Sequence, residues 1–164
     1  MGTFTEMSRE IFYCKSWFRA KKRPTELWSE DRARGAHDNK TLYSALIDSV
    51  EKPFCFLEIN DKFVGVGFLD DNLRERVYYA FREIEPGRLF LSMATYREFE
   101  GDLDKVLLGT TYMFDPSGAV KIQKQQFNPY NAEASETVTD VSGNYDARPE
   151  FGHYGNLIKL KRAP

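Results

Sequence analysis

The pattern of hydrophobic and polar positions changes its period near Phe54. From there to residue 127, apolar and polar side chains alternate in short stretches that end in clusters of Asn, Asp, Pro and Gly. Alternation with a period of two is typical of half-buried strands, and such clusters mark turns. The pattern therefore predicts an antiparallel β-meander of six strands: Phe54–Ile59, Lys62–Leu69, Leu73–Glu85, Leu89–Phe99, Lys105–Phe114 and Ala119–Phe127.

A helical period comes before the meander. Four apolar residues follow the i, i+3, i+4, i+8 spacing of one helix face: Leu42, Ala45, Leu46 and Val50. This spacing predicts a helix over residues 41–51, the longest of the chain, and Pro53 is expected to end it.

The flanking segments are less regular. Residues 8–18 fit either an opening strand or a short helix, and residues 19–40 predict a polar loop with one helical turn near 25–31, where Thr25 could be the cap. Residues 128–164 predict a loop-rich tail, with a short last strand at 157–160.

The chain is expected to be one domain of 164 residues in the α+β class, mainly β. Its three parts are an N-terminal segment (1–40), the helix with the meander (41–127) and the tail (128–164). The meander could form either a curved sheet or a partial barrel.

The longest predicted hairpin allows its register to be argued from charge. A register that places Arg76 opposite Arg97 sets like charges against each other, which destabilises a ladder. We expect the register that places Arg76 opposite Glu98, with the one that places Arg74 opposite Glu98 as the alternative. Both put the same apolar set on one face, the expected core: Val77, Tyr79, Phe81, Leu91 and Met93.

Composition supports a sheet and a cytoplasmic location. Aromatic residues make up 15% of the chain, and they suit pleated, half-buried surfaces. Cys14 and Cys55 lie among aromatic residues and are predicted to be buried as small hydrophobic residues, although a disulfide is possible. The sequence has no apolar run of transmembrane length and no signal-peptide pattern, so no membrane partner is expected.

Familiar catalytic motifs are not recognisable. His37 and His153 fall in loop-like segments without a nucleophile motif, and no spacing typical of a metal site accompanies them. Gly65 and Gly67 lack the strand–loop–helix context of a phosphate loop, and predict a bend, a bulge or the close approach of another backbone. No metal or cofactor is expected.

Two pairs of acids share strand faces, and each pair could act in general acid/base catalysis: Glu83 with Glu85, and Glu98 with Glu100. Such spacing arises by chance in a chain with 25 acidic residues. We therefore do not expect this protein to be an enzyme. An enzyme of unrecognised type is the third hypothesis, after a protein-binding inhibitor and a ligand carrier.

Charge is distributed unevenly around a net value of −2. Residues 41–120 hold 14 acidic and 8 basic residues, and half of the acids fall in predicted turns. An acidic surface can steer a basic partner. Six acids in the central turns are the predicted partner-binding residues: Asp61, Asp70, Asp71, Glu100, Asp102 and Asp104.

A basic stretch near the start of the chain offers a different partner. Residues 21–23, with Arg32 and Arg34, lie near Trp17 and Trp28, and aromatic side chains can stack on bases. The acidic remainder of the chain makes a large phosphate-binding surface, and so a nucleic-acid partner, unlikely.

Two segments carry a family resemblance: EPGRLFLSMATYREFEGD (85–102) and DVSGNYDARPEFGHY (140–154). Over roughly Phe54–Leu160 the chain resembles small immunity proteins of bacterial polymorphic toxin systems of the contact-dependent, Rhs and type VI kinds. The resemblance implies a cytoplasmic, non-enzymatic inhibitor that binds and neutralises a cognate toxin domain, expected to be basic, often through an acidic surface. The alternative is a carrier of a small apolar ligand with a lipocalin-like β-barrel.

Overall fold

The computed structural model describes residues 9–162 and shows a mainly β fold. Within these residues there is one α-helix, α1 (Glu30–Asp38). The strands, in chain order, are β1 (Ile11–Cys14), β2 (Trp17–Phe18), β3 (Arg23–Pro24), β4 (Leu27–Trp28), β5 (Tyr43–Ile47), β6 (Cys55–Ile59), β7 (Phe63–Leu69), β8 (Glu75–Glu85), β9 (Arg88–Phe99), β10 (Val106–Phe114), β11 (Ala119–Gln126), β12 (Asn131–Val138) and β13 (Tyr145–Ala147).

Most of these strands form one open antiparallel sheet. The order is β12-β11-β10-β9-β8-β7-β6-β5-β1-β4, β13 adds to β9, and β2 and β3 form a separate two-stranded sheet. The six predicted strands are confirmed as β6 to β11. Their number understates the sheet, which continues at both ends and does not close into a barrel.

The predicted helix over residues 41–51 is wrong, because its centre is strand β5. All five residues of β5 are buried, and the strand lies between β1 and β6. A strand that is covered on both faces has apolar residues on both, so its sequence can imitate one face of a helix. Leu42, which began the predicted helix face, is 52% exposed.

The helix lies earlier, in the segment predicted as a loop. Ser29 caps α1 by accepting a hydrogen bond from the amide of Arg32 (3.1 Å), and Glu30 and Asp31 place negative charge in the first turn. Thr25 is not the cap; its amide donates to the carbonyl of Ser16 instead.

The expected register of the long hairpin is wrong by one residue. Val77 lies opposite Tyr96, and a bulge before the turn shifts the pairing so that Phe81 lies opposite Leu91. The pairing matches the alternative register only from Phe81 to Glu83, and a second shift beside the turn places Glu85 opposite Arg88. The register predicted from charge is wrong because Arg97 does not need an acid directly opposite: it donates to a carboxylate oxygen of Glu75 (3.0 Å).

The core face of the sheet is the face that carries Tyr79, and helix α1 and the tail pack against it. Val77, Tyr79, Phe81 and Leu91 are buried there, as predicted. Met93 is an exception, because the bulge pairs it with Ala80 on the opposite face. A smaller buried cluster lies on that opposite face, around Cys14, Trp17, Leu46, Phe56 and Leu69.

Gly65 and Gly67 of β7 make room for aromatic rings. A Cβ atom on Gly65 would lie 2.0 Å from the hydroxyl of Tyr78, and one on Gly67 would lie 2.3 Å from the ring of Phe56. The prediction of a bend, a bulge or a close backbone approach at this pair is wrong: both glycines pair regularly with β6 and β8, and side chains fill the space above them.

A chain of aromatic side chains joins the helix, the sheet and the tail. The hydroxyl of Tyr43 lies 2.9 Å from Nδ1 of His37 on α1 and 3.0 Å from the hydroxyl of Tyr154 in the tail. Tyr13 stacks on Phe151 with ring centroids 4.9 Å apart. These contacts hold the tail, which contains β12 and β13; residues 157–160 do not form the predicted strand.

The remaining structural expectations concern the cysteines and the membrane. Cys14 and Cys55 are free and buried, as small hydrophobic residues are. Among the described residues, no helix is long and apolar enough to cross a membrane.

Candidate partner-binding site

Turns of a meander alternate between the two ends of its sheet. The β7–β8 turn (70–74) and the β9–β10 turn (100–105) therefore lie at one end, which we call the acidic loop end. The β6–β7 turn lies at the other. The structure thus separates the six predicted acids: five lie at the acidic loop end, and Asp61 lies at the opposite end.

Arg74 ties the two turns of the acidic loop end together. Its Nε donates to Asp70 (2.8 Å), and its Nη1 donates to the carbonyls of Gly101 (2.7 Å) and Leu103 (2.8 Å). The guanidinium also lies over the ring of Phe99, 4.7 Å from its centroid. Arg74 is therefore a structural cation, with a side chain that is only 13% exposed.

The carboxylate of Asp70 has a structural role within its own turn. Partial burial by itself raises the pKa of its carboxyl, but hydrogen bonds from the amide and guanidinium of Arg74 and from the amide of Asn72 outweigh burial and hold the pKa below its ordinary value. Asp70 is therefore a charged partner within the turn, and its side chain is 21% exposed.

The N-terminal hairpin supplies a third segment to this end. Lys22 donates from Nζ to Asp104 (2.7 Å) and to the carbonyl of Asn72 (2.9 Å), and Asn72 in turn donates to Asp102 (3.3 Å). These contacts span 50 and 82 positions in the sequence. Residues far apart in the chain thus fix the acidic turns in place.

An open groove of about 340 Å³ lies beside these turns. Its apolar lining comes from the hairpin, from β7 and from the β9–β10 region: Trp17, Leu69, Leu73, Phe99 and Val106. Its charged rim holds Arg19, Lys22, Arg74, Glu75, Arg97 and Asp104. A groove with an apolar floor and a charged rim has the layout of a protein interface, which combines an apolar centre with a polar margin.

A cluster of paired charges supports one wall of the groove. Arg19 bonds both Glu58 and Glu75 (3.2 Å each), and Arg97 bonds Glu75 as well. Tyr78 donates to Glu58 (2.8 Å); burial, and then the charge of Glu58, raise the pKa of its hydroxyl. Because each carboxylate is already paired with a cation, the role of this cluster is to stabilise the wall of the groove.

The exposed groups at the acidic loop end differ from the paired ones. Asp71 and Asp102 are exposed, and the side chain of Asp104 remains 66% exposed although it is paired. Leu103, between two of these acids, is 59% exposed. The outer surface is therefore acidic with an apolar residue at its centre, while the cations Lys22 and Arg74 lie beneath it.

Sequence reasoning missed Leu103, Lys22 and Arg19. Leu103 carries a weak signal, since a large apolar residue in an otherwise acidic turn has no local reason to be there. The two cations lie in the polar N-terminal segment, and nothing in the local pattern connects them to turns that are 50 or more positions away.

The first pair of acids, Glu83 and Glu85, is engaged within the chain, whereas Glu98 of the second pair is exposed. Glu83 lies near Arg148 (3.6 Å) and Lys62 (3.5 Å), and Glu85 lies near Arg88 (3.6 Å). These contacts give Glu83 and Glu85 structural partners. Within residues 9–162, no group of three or more His, Cys, Asp or Glu side chains could hold a metal ion.

Two arginines of the basic N-terminal stretch contact aromatic rings of the chain. Arg32 lies over the ring of Trp28 (4.4 Å to its centroid), and Arg34 lies over Phe151 (4.5 Å). Arg32 and Arg34 are therefore engaged with aromatic rings of the chain, whereas Lys21 and Arg23 are exposed.

No protein-family model matches the chain, and no match to it was found among curated proteins or solved structures. The site's own geometry therefore carries the functional argument.

Proposed function

We propose that this protein is a non-enzymatic inhibitor that binds a basic protein domain at the acidic loop end. One observation carries the proposal. Five of the predicted acidic residues and an apolar groove of about 340 Å³ occur at the same end of the sheet. The resemblance to immunity proteins, which implies a toxin domain as the partner, points to the same kind of function.

The charges favour a basic partner over a neutral one. The exposed acids Asp71, Asp102 and Asp104 form the outer surface, and their field attracts a positively charged domain before contact. Once the partner is docked, Leu103 and the groove offer apolar area at the centre, where interfaces gain most of their binding free energy.

The fixed geometry of the loops supports this function. The hydrogen bonds from Arg74 and Lys22 hold both turns in one arrangement, so a partner need not order them on binding. Preorganisation of this kind lowers the entropic cost of association. The ligand-carrier alternative calls for an enclosing barrel, whereas the described sheet is open.

The test is affinity capture from a lysate of the source organism, followed by co-expression of the captured protein with this chain. We expect capture of a basic protein whose expression arrests growth and whose effect this chain abolishes. The double variant Asp71→Lys/Asp102→Lys should bind that protein about tenfold more weakly or worse, because two exposed charges are reversed.

The matched control is Asp61→Lys/Glu133→Lys, which makes the same change in net charge away from the acidic loop end. Asp61 lies in the β6–β7 turn and Glu133 is exposed on β12. The control should bind like the unchanged protein. Equal loss of binding in both double variants would show only a long-range charge effect, and unchanged binding in both would exclude the acidic loop end as the interface.

A further inference from the structure

A second cleft lies on the core face, where the tail crosses the sheet. It has a volume of about 680 Å³, within the usual range for small-molecule sites. Strands β8, β9 and β10 provide one side and residues 160–162 the other. Its lining is Arg76, Val77, Tyr79, Tyr96, Tyr112, Leu160, Lys161 and Arg162.

The lining residues have an unusual charge balance. They include three cations and no acid, in a chain whose net charge is −2. Arg162 has a partner in Asp146 (2.9 Å). Arg76 and Lys161 form no ion pair with any residue between 9 and 162. Arg76 also lines a smaller pocket that contains Asp70 and Asp71, but neither carboxylate lies within ion-pair distance of it.

The backbone directs Arg76 out of the strand ladder. Phe68 pairs with Val77 and Leu69 pairs with Glu75, so Arg76 is the extra residue of a β-bulge between β7 and β8. A bulge reorients a side chain at the cost of a regular hydrogen-bond pattern, and bulges are common beside binding sites. Here the bulge places an arginine in the lining of the cleft.

The hydrogen bonds of Arg76 are also incomplete. Its Nε is buried and has no hydrogen-bond partner among the described residues, and the same is true of Nε of Arg162. A buried donor without a partner is costly, and most such donors in folded proteins are satisfied. The buried Nε is out of reach of a ligand, but no side-chain hydrogen bond of Arg76 occurs among the described residues, so its two Nη groups can donate to an anion in the cleft. The fork of a guanidinium suits a carboxylate or phosphate in particular.

Aromatic rings form the remaining wall. The rings of Tyr79 and Tyr96 lie edge to face with centroids 6.2 Å apart, and Tyr96 and Tyr112 do the same at 5.9 Å. The hydroxyl of Tyr79 is already used, lying 3.3 Å from that of Tyr96 and contacting the carbonyl of Leu160. The rings therefore offer mainly their faces and edges, which suit a flat aromatic group.

We propose that this cleft binds a small anion with a planar aromatic body, the anionic group bonding Arg76 and the ring packing against Tyr96 and Tyr112. Two sources share this chemistry, aryl carboxylates and nucleoside monophosphates. The cleft and the groove of the acidic loop end share no lining residue, and the cleft meets the acidic loop end only through Arg76, which also lines a smaller pocket with Asp70 and Asp71.

The test uses isothermal titration of the full chain with 2-naphthoate and with adenosine 5′-monophosphate. The neutral controls are 2-naphthamide and adenosine, which keep the rings and remove the charge. We expect at least one anion to bind in the micromolar to millimolar range, and its neutral analogue to bind about tenfold more weakly or worse. Binding of one anion alone identifies the source, and binding of both identifies the shared chemistry.

Substitutions locate the binding. Arg76→Gln and, separately, Lys161→Gln on the exposed tail should each weaken binding, the first by about tenfold. Arg82→Gln is the matched control, because Arg82 is an exposed arginine of the same strand outside the cleft. The proposal is overturned if neither anion binds, if the neutral analogues bind equally well, or if both cleft variants bind like the Arg82 control.

Discussion

At the scale of single residues, the sheet depends on two glycines that leave space for rings. Tyr78 lies over Gly65 and bonds Glu58, which itself bonds Arg19 at the wall of the groove. Phe56 lies over Gly67 and is completely buried. The two glycines thus connect the packing of β7 to the charged cluster that supports the candidate site.

Substitution by alanine at either glycine should destabilise the protein. Overpacking of this kind costs about 1–3 kcal/mol of unfolding free energy. Gly67→Ala should cost more than Gly65→Ala, because it meets a fully buried ring, whereas the new methyl group at residue 65 meets the terminal hydroxyl of Tyr78. Urea unfolding measured for each variant gives the comparison.

Gly109→Ala provides the control for this pair. Gly109 lies in β10, and a Cβ atom there would meet nothing within 4 Å. The control should leave stability nearly unchanged or raise it slightly, because alanine reduces the freedom of the unfolded chain. If all three substitutions cost the same, strand propensity rather than ring packing would explain the glycines.

At the scale of elements, alternation and turn residues together predicted strands β6 to β11 but missed β5, β12 and the helix. Strands β6 to β11 follow from alternation and turn residues, and all were found. Strand β5 is buried on both faces and resembled a helix, while every residue of β12 is exposed, so no apolar alternation marks it. Helix α1 has Ala33 as its one fully buried residue, too little to form an apolar stripe.

The attachment of α1 makes stability depend on pH. Burial, and then the nearby charge of Arg148, lower the pKa of His37 below its ordinary value of about 6.5. The unfolded chain therefore binds a proton at this residue more readily than the folded chain. The contribution is fully present above about pH 6.5, and stability is lost as the pH falls through the lower, folded pKa.

Unfolding free energy measured from about pH 7.5 to about pH 5 should therefore fall more steeply for the unchanged protein than for His37→Gln. This range extends further below the ordinary histidine pKa of about 6.5 than above it, because the folded pKa is lowered. His153→Gln is the matched control, because His153 is exposed and lies off the helix. It should keep the steeper dependence. Identical pH profiles for the unchanged protein and His37→Gln would contradict this role of His37.

At the scale of the whole molecule, the alternation of turns decides which predicted site residues meet. The order of strands brings Asp71 and Asp102 to one end and sends Asp61 to the other. The sequence could supply the acids and the turns that carry them. It could not supply Lys22 or Arg19, because their positions depend on how the N-terminal hairpin folds over the sheet.

The two candidate sites use different faces of this sheet. The groove of the acidic loop end has Trp17 and Leu69 in its lining, from the smaller buried cluster, while the cationic cleft has Val77 and Tyr79, from the core face. The two linings share no residue, although Arg76 of the cleft also lines a smaller pocket with Asp70 and Asp71 of the acidic loop end.

The central claim, that a basic partner binds at the acidic loop end, is tested most directly by amide hydrogen exchange of this chain, free and in complex with the captured partner. We predict that the complex slows exchange in residues 70–74 and 100–105 and in the hairpin around Lys22, and leaves residues 60–62 and 86–87 at the opposite end unchanged. Protection confined to the opposite end or to strand β12 would contradict the account.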